Sequence, residues 1–260
     1  MIYKSQKKNQ FVVSELMLKT DKHKVTTIIG VPKENQETEK RVPITPEGVS
    51  LLVSAGYRVM FQKGAGLTIN YSDSYYAESG AEIVDTAKEV FQADIILKIM
   101  PPTLEEVEMM RPRTSVYSFL YLHNLSRTLL EHMMEKRINA LSYELINDDT
   151  GASPFVTAIS EIEGASSITL AAEMLSNANG GKGILLGGIP GITPAEVVII
   201  GAGVAGTMAA RVAIAMGASV KIFDNDIIKL RAIRHELGNP VYTSTLQPKV
   251  LRNVFRSADV

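Results

Sequence analysis

The 260-residue chain contains no cysteine. Disulfides, thiolate metal sites and a cysteine nucleophile are thereby excluded, and a reducing, cytoplasmic setting is the natural expectation. An excess of charge of either sign is lacking too: 27 Lys and Arg against 28 Asp and Glu leave a formal net charge of −1. Without a basic field, neither nucleic acid nor an anionic membrane surface is expected as a partner, and no metal site is assigned. Long apolar runs are scarce. The N-terminal "MIYKSQKKNQFVVSELMLKTDKHK" starts basic, but its apolar part is short, carries Glu15 and lacks a small-residue cleavage site. It reads as a polar extension over residues 1–24, or a first helix, and not as a signal peptide. Val197–Val220 has the length and apolarity to mimic a membrane span. Its glycines, however, divide a β-branched strand from an alanine-rich helix, and the charged "KIFDND" follows at once.

What is present is 45% apolar and 21% charged residues, a composition that suits one or two α/β domains with real cores. "VTTIIGVPKE" is a β-branched run ending at Gly30 and Pro32. A helix follows in "TPEGVSLLVSAGY", with Thr45 as N-cap, Pro46 at the first position and Gly56 at the end. "RVMFQKGAG" is a strand, Tyr71–Gly80 and "TAKEVFQA" are helical, and "DIILK" is a short strand closed by Pro101 and Pro102. "LEEVEMMR", "TSVYSFLYL", "RTLLEHMMEKR" and "INALSYELI" continue as helix, strand, helix, strand. Such alternation predicts a parallel sheet covered on both faces. Ser160–Ser176 predicts a long bridging helix, and "NANGGKGILLGGIPGITPAE" a structural loop or hairpin. The latter is not a P-loop, because no Lys-Ser or Lys-Thr follows the required glycine spacing.

A second alternating series begins at Val197: strand "EVVII", helix "AGTMAARVAIAM", strand "SVKIFD", helix "DIIKLRAIRHEL", strand "PVYTST" and helix "PKVLRNVFRSA". "VFRSADV" at the end parallels the earlier "VFQADIILK", where Ala-Asp opens a strand. Val260 is therefore expected at the start of a fourth strand, with the chain stopping part-way through a domain. The fold class expected is α/β with two parallel-sheet domains: a substrate domain over residues 25–155 and an incomplete Rossmann-type domain over 156–260.

Gly201, Gly203 and Gly206 form G-x-G-x-x-G after a predicted strand and at the opening of a helix. The first glycine allows the tight turn, the second lets backbone approach a pyrophosphate, and the third lets helix pack on strand. Val204 and Ala205 complete the turn, where the helix N-terminus offers N–H groups to phosphates. Asp224 ends the second strand, about twenty residues on, where a carboxylate accepts from ribose hydroxyls and repels a 2′-phosphate. The cofactor expected is NAD. The competing reading makes the glycines packing residues and Asp224 a helix cap.

Three basic residues stand at expected strand ends in the first segment. Arg41 lies in "EKRVPITPEGV", and its planar fork suits a carboxylate. Lys98 ends "DIILK"; His123, one of four histidines, follows "SFLYL" and can give or take a proton near neutral pH. Singly they read as a solvated loop charge, a strand-end lysine stem and a turn residue. Together, at sheet edges and beside a nucleotide domain, they read as a site.

"GVPKE", "KRVPITPEGV", "KGAG" with "YSDSYY", "GAEIV", "ADIILKI", "YLH", "SEIEG", "GGKGILLGGIPG" and "VVIIGAGVAG" together resemble the L-alanine dehydrogenase family. Nicotinamide nucleotide transhydrogenase α subunits share part of the pattern, but they look different after the strand that here ends in "YLHN". The resemblance implies NAD-dependent interconversion of L-alanine with pyruvate and ammonia, in a homo-oligomer. It places the substrate-carboxylate arginine on Arg41, the substrate lysine on Lys98 and the acid/base histidine on His123. The alternatives it leaves are a subunit of a membrane transhydrogenase and a non-catalytic NAD-binding fragment. Glu163 stands where the family usually has a small residue. The family chain also runs on into a loop with a catalytic aspartate that residues 1–260 do not include, so little dehydrogenase activity is expected from this length alone.

Overall fold

A computed structural model describes residues 26–238 and 241–260 of the chain; the extension assigned to residues 1–24 lies outside them. It divides into two compact units, the first running to Val116 and including 131–139, the second comprising 117–130 and 140–260. Within the second unit, Phe119 lies edge-on to Tyr143 with ring centroids 5.3 Å apart, and Tyr143 tilts against Phe155 at 5.0 Å.

In the first series, β1 (Ile28–Val31) is followed by α1 (Pro46–Ser54), β2 (Arg58–Gln62), α2 (Asp73–Glu78), β3 (Glu82–Val84), α3 (Ala87–Val90) and β4 (Ile95–Leu97). Then come α4 (Leu104–Met109), β5 (Ser115–Ser118), α5 (Arg127–Glu135) and β6 (Asn139–Ser142). The helix start expected at Thr45 is present: its side chain accepts from the Gly48 N–H, with Pro46 in the first turn. The six strands run in the order β3-β2-β1-β4-β5-β6, and β1 pairs in parallel with both β2 and β4. Strand order reverses between β1 and β4, which makes the ends of those two strands a switch point where ligands gather. Ile29, Val31, Val59 and Phe61 form the core with Tyr76, which stacks on Phe61 at 3.7 Å. The Tyr76 hydroxyl donates to the Ile44 carbonyl, and burial pushes its pKa up to about 12.

The second series runs α6 (Pro154–Leu175), β7 (Glu196–Ile200), α7 (Val204–Ala215), β8 (Ser219–Phe223), α8 (Ile227–Leu237), β9 (Tyr242–Ser244) and α9 (Pro248–Ser257). Its sheet has the order β7-β8-β9, parallel throughout. The helix α6 packs on α7 so closely that a Cβ on Gly164 would lie 2.2 Å from the Ala205 carbonyl oxygen. In the glycine-rich segment, Ile189 and Ile192 exchange both backbone hydrogen bonds around Pro190-Gly191. With Gly191 at φ 90°, this is the Pro-Gly turn expected of a tight hairpin.

Among several departures from the sequence reading, the structure ends the strand expected in "TSVYSFLYL" at Ser118. It adds β3, which is only three residues long and too short to show an alternating pattern. It begins α6 at Pro154 instead of Ser160, because a first-turn proline starts a helix without losing a hydrogen bond. It ends β6 at Ser142 in a short 3₁₀ turn, Tyr143–Leu145.

One backbone device occurs twice. The Asp94 N–H donates to the Ile28 carbonyl at 2.9 Å, and its carboxylate accepts from the Ile28 N–H at 2.8 Å. In the second sheet the Asp259 N–H donates to the Glu196 carbonyl at 2.9 Å, and its carboxylate accepts from the Glu196 N–H at 3.0 Å. Val260 also accepts from the Val198 N–H, so Asp259 and Val260 lie along the edge of β7 opposite β8, as the comparison of "VFRSADV" with "VFQADIILK" predicts.

Candidate functional site

The glycine turn sits between β7 and α7, and each glycine answers to a different constraint. Gly201 has φ 107°, a conformation closed to other residues. Gly206 lies in the first turn of α7, where a Cβ would be 1.9 Å from the Gly201 carbonyl oxygen. Gly203 is the N-cap of α7 at φ −82° and ψ −170°, extended backbone that any residue adopts. A Cβ there would meet nothing within 4 Å. The fold alone does not require glycine at 203, whereas close approach of a pyrophosphate does. A cleft of about 360 Å³, lined in part by Ala202, Gly203, Val204 and Lys229, opens at this helix terminus.

Asp224 braces the turn from the end of β8. Its Oδ2 accepts from the Ala202 N–H at 2.7 Å and its Oδ1 from the Asp226 N–H at 2.8 Å. These bonds, Ala202's first, hold its carboxyl below the usual range, so it is ionised at neutral pH. The cap of α8 is Asp226, whose side chain accepts from Ile228 and Lys229, so the capping reading of Asp224 does not hold. Each Asp224 oxygen keeps a lone pair for a ribose hydroxyl. These residues fit a dinucleotide. A larger open cavity, about 490 Å³, lies beneath the glycine-rich segment beside Met216, at the other end of α7, and no charged side chain lines it.

In the first unit, the switch point between β1 and β4 brings charged residues together. Lys98 follows β4 and is only 2% exposed. Its Nζ lies 2.7 Å from Glu106 Oε1 and 3.3 Å from Glu34 Oε2. Glu34 also accepts from the Ile99 N–H at 2.6 Å, and Glu106 completes a capping box with Thr103. Burial pushes the Glu34 carboxyl above its ordinary value, against the pull of Lys98. On the loop after β1, Arg41 donates through Nε and Nη2 to both oxygens of Glu39, at 2.9 and 2.7 Å. Burial raises the Glu39 carboxyl, but the bonds from the Arg41 side chain and backbone outweigh it and leave it lowered. The Arg41 fork is thus aimed by a buried carboxylate, while its side chain stays about half exposed.

In the second unit, His123 is exposed on a turn beyond β5, closed by the Asn124 N–H donating to the Tyr121 carbonyl at 2.7 Å.

The alanine dehydrogenase/PNT N-terminal domain model matches residues 30–163, and the corresponding C-terminal domain model matches 167–260. The chain belongs to the alanine dehydrogenase/PNT family. Within it, an alanine dehydrogenase from Methanococcus maripaludis is 41% identical over 234 residues, covering 90% of this chain and 62% of the relative. A solved L-alanine dehydrogenase structure has a TM-score of 0.82 at 33% identity, covering 89% of this chain and 64% of that one. A transhydrogenase from Sinorhizobium meliloti, at 24% identity, TM-score 0.76 and coverage of 89% and 68%, shows the shared fold alone. The chain thus spans about 62% of the length of the curated relatives it matches.

For this member of the alanine dehydrogenase/PNT family, sequence reasoning missed Glu34, Glu39 and Glu106. A signal existed for two: Glu34 follows the β1 run directly in "GVPKE", and Thr103-x-x-Glu106 is a capping-box pattern. The glycines permit a test that separates packing from ligand contact. Gly203→Ala should fold with a loss of stability of no more than about 1 kcal/mol, the cost of alanine at an N-cap, yet lose NAD affinity about tenfold or more, roughly 1.4 kcal/mol of lost contact. Gly206→Ala should lose affinity and stability together, because overpacking against backbone costs about 1–3 kcal/mol. Calorimetric NAD titration beside urea unfolding decides; unchanged affinity in Gly203→Ala would remove the turn from the binding site.

Proposed function

We propose that the chain carries the substrate- and nucleotide-binding parts of an NAD-dependent L-alanine dehydrogenase, interconverting L-alanine with pyruvate and ammonia. The observation that carries this reading is the glycine turn braced by an ionised Asp224, in a chain 41% identical to an alanine dehydrogenase. Gly201, Gly203, Val204, Ala205 and Gly206 would hold the pyrophosphate, and Asp224 the adenosine ribose. When bound, NAD supplies the hydride acceptor for the α-hydrogen of alanine. Arg41 pairs with the substrate carboxylate through the fork that Glu39 aims. His123 takes a proton from the attacking water and returns one to the departing amine. Lys98, held between Glu34 and Glu106 where the β1 and β4 loops meet, would hold the substrate carbonyl oxygen in this reading. A homo-oligomer and a cytoplasmic location go with the same proposal. Among the described residues, no helix is long and apolar enough to cross a membrane.

Alanine-dependent reduction of NAD by the purified protein tests the reading, and its absence in a polypeptide of the relatives' length would refute it. NAD should bind at least about tenfold tighter than NADP, since Asp224 opposes a 2′-phosphate. Asp224→Ala should narrow that difference. Equal affinity for both cofactors in the unaltered protein would remove Asp224 from the ribose site.

A further inference from the structure

In the second unit, one acidic side chain spends both its oxygens on the backbone of the His123 turn. Glu144 stands in the 3₁₀ turn after β6. Its Oε1 accepts from the Tyr121 N–H at 2.8 Å, and its Oε2 from the Leu120 N–H at 3.1 Å. The Leu120 N–H also approaches the Ser142 Oγ at 3.4 Å. Two successive N–H groups aimed at one carboxylate form an anion-binding concavity, and bonds to an ionised acceptor are about twice as strong as neutral ones.

The grip falls where the backbone needs it. Tyr121 has φ 46°, a left-handed conformation that a bulky residue keeps only when its surroundings hold it. Tyr121 is also the first residue of the turn that Asn124 closes, and His123 is the third. Tyr143, next to Glu144, is buried and packs against Phe119 and Phe155. Glu144 therefore connects the residue after buried Tyr143 to the turn that presents the imidazole.

We infer that Glu144 is the positioning residue of His123, gripping the first residue of its turn without touching substrate. The inference rests on the proposed acid/base role of His123 and adds to it the group that sets where the imidazole stands. A misplacement of about 1 Å costs on the order of a hundredfold in rate, so loss of the grip should register in kcat.

Glu144→Ala and Glu144→Gln are compared with the unaltered protein, each in a polypeptide of the relatives' length, in alanine-dependent NAD reduction, NAD titration and amide hydrogen exchange. In Glu144→Ala, kcat should fall by about tenfold to a hundredfold, with KM for alanine and NAD affinity unchanged and faster exchange at Leu120 and Tyr121. Glu144→Gln keeps one carbonyl acceptor and should lie between. An alanine variant with unchanged kcat overturns the proposal, and so does a loss that appears only in stability. Should Glu144→Ala not fold, unchanged kcat in Glu144→Gln overturns it equally. Should the unaltered protein reduce no NAD with alanine, the functional reading fails by itself; the grip is then judged on exchange, and unchanged Tyr121 exchange in the variants overturns it.

Discussion

Replacing Lys98 by methionine is expected to lower the free energy of unfolding by about 3–5 kcal/mol, the usual cost of removing one partner from a buried ion pair. The reason lies in the charge count. Lys98 is the one cation in a buried group with two carboxylates, Glu34 and Glu106. Without it, the carboxylates face each other at a site where both 34 and 98 are buried. Glu34→Gln should cost far less, because it leaves a matched Lys98–Glu106 pair and keeps an oxygen for the Ile99 N–H. The pH dependence has a definite sign. Burial raises the Glu34 pKa above its ordinary 4.5, so its contribution to stability is complete below that value and is lost as pH rises through the folded value. Lys98→Met should deepen that loss by removing the opposing charge, and Glu34→Gln should abolish it. Urea unfolding from pH 4 upward, followed by circular dichroism because the chain has no tryptophan, measures both. Equal stability of Lys98→Met and the unaltered protein would show the lysine to be unpaired in solution.

In a polypeptide of the relatives' length, replacing His123 by alanine is expected to lower kcat for alanine by about 10²–10⁴, the range for loss of a positioned acid/base. NAD affinity should be unchanged, since the nucleotide turn is built from α7, β7 and β8 alone. Arg41→Ala differs in kind: it should raise KM for alanine more than it lowers kcat, as expected when binding common to ground and transition states is removed. Steady-state kinetics across the pH range separates the two. A His123→Ala protein with the same turnover at every pH would make the histidine a turn residue and nothing more.

The sequence discloses most of this arrangement where local chemistry and long-range packing agree. Thr45-Pro46 announces α1, Pro190-Gly191 its turn and the glycines of 201–206 the strand-to-helix passage, each because one backbone conformation favours that residue. Arg41 and His123 are legible as loop residues beside strands. Lys98 is legible as present but not as occupied: its partners come from positions 34 and 106, and only the parallel neighbours β1 and β4 bring the first of them near. Glu144 leaves no sequence signal, since "YELI" reads as a continuing strand and its bonds reach back more than twenty residues to Leu120 and Tyr121. Partners far apart in the chain are set by topology, which a local pattern does not encode.

The paired aspartates at 94 and 259 bear on how the chain finds its pairings. Each joins the first strand of a sheet to the segment laid on its other side, β4 for Asp94 and residues 259–260 for Asp259, closing loops of 66 and 63 residues. Closure entropy grows only as the logarithm of loop length, so the two searches carry nearly the same cost. The hazard at the end of such a search is a slip of one residue, which would turn every side chain of the arriving strand to the wrong face. An aspartate that offers its own N–H and its carboxylate to a single residue satisfies both only in one alignment. The segment laid beside the first strand is therefore fixed in register by the aspartate at its start.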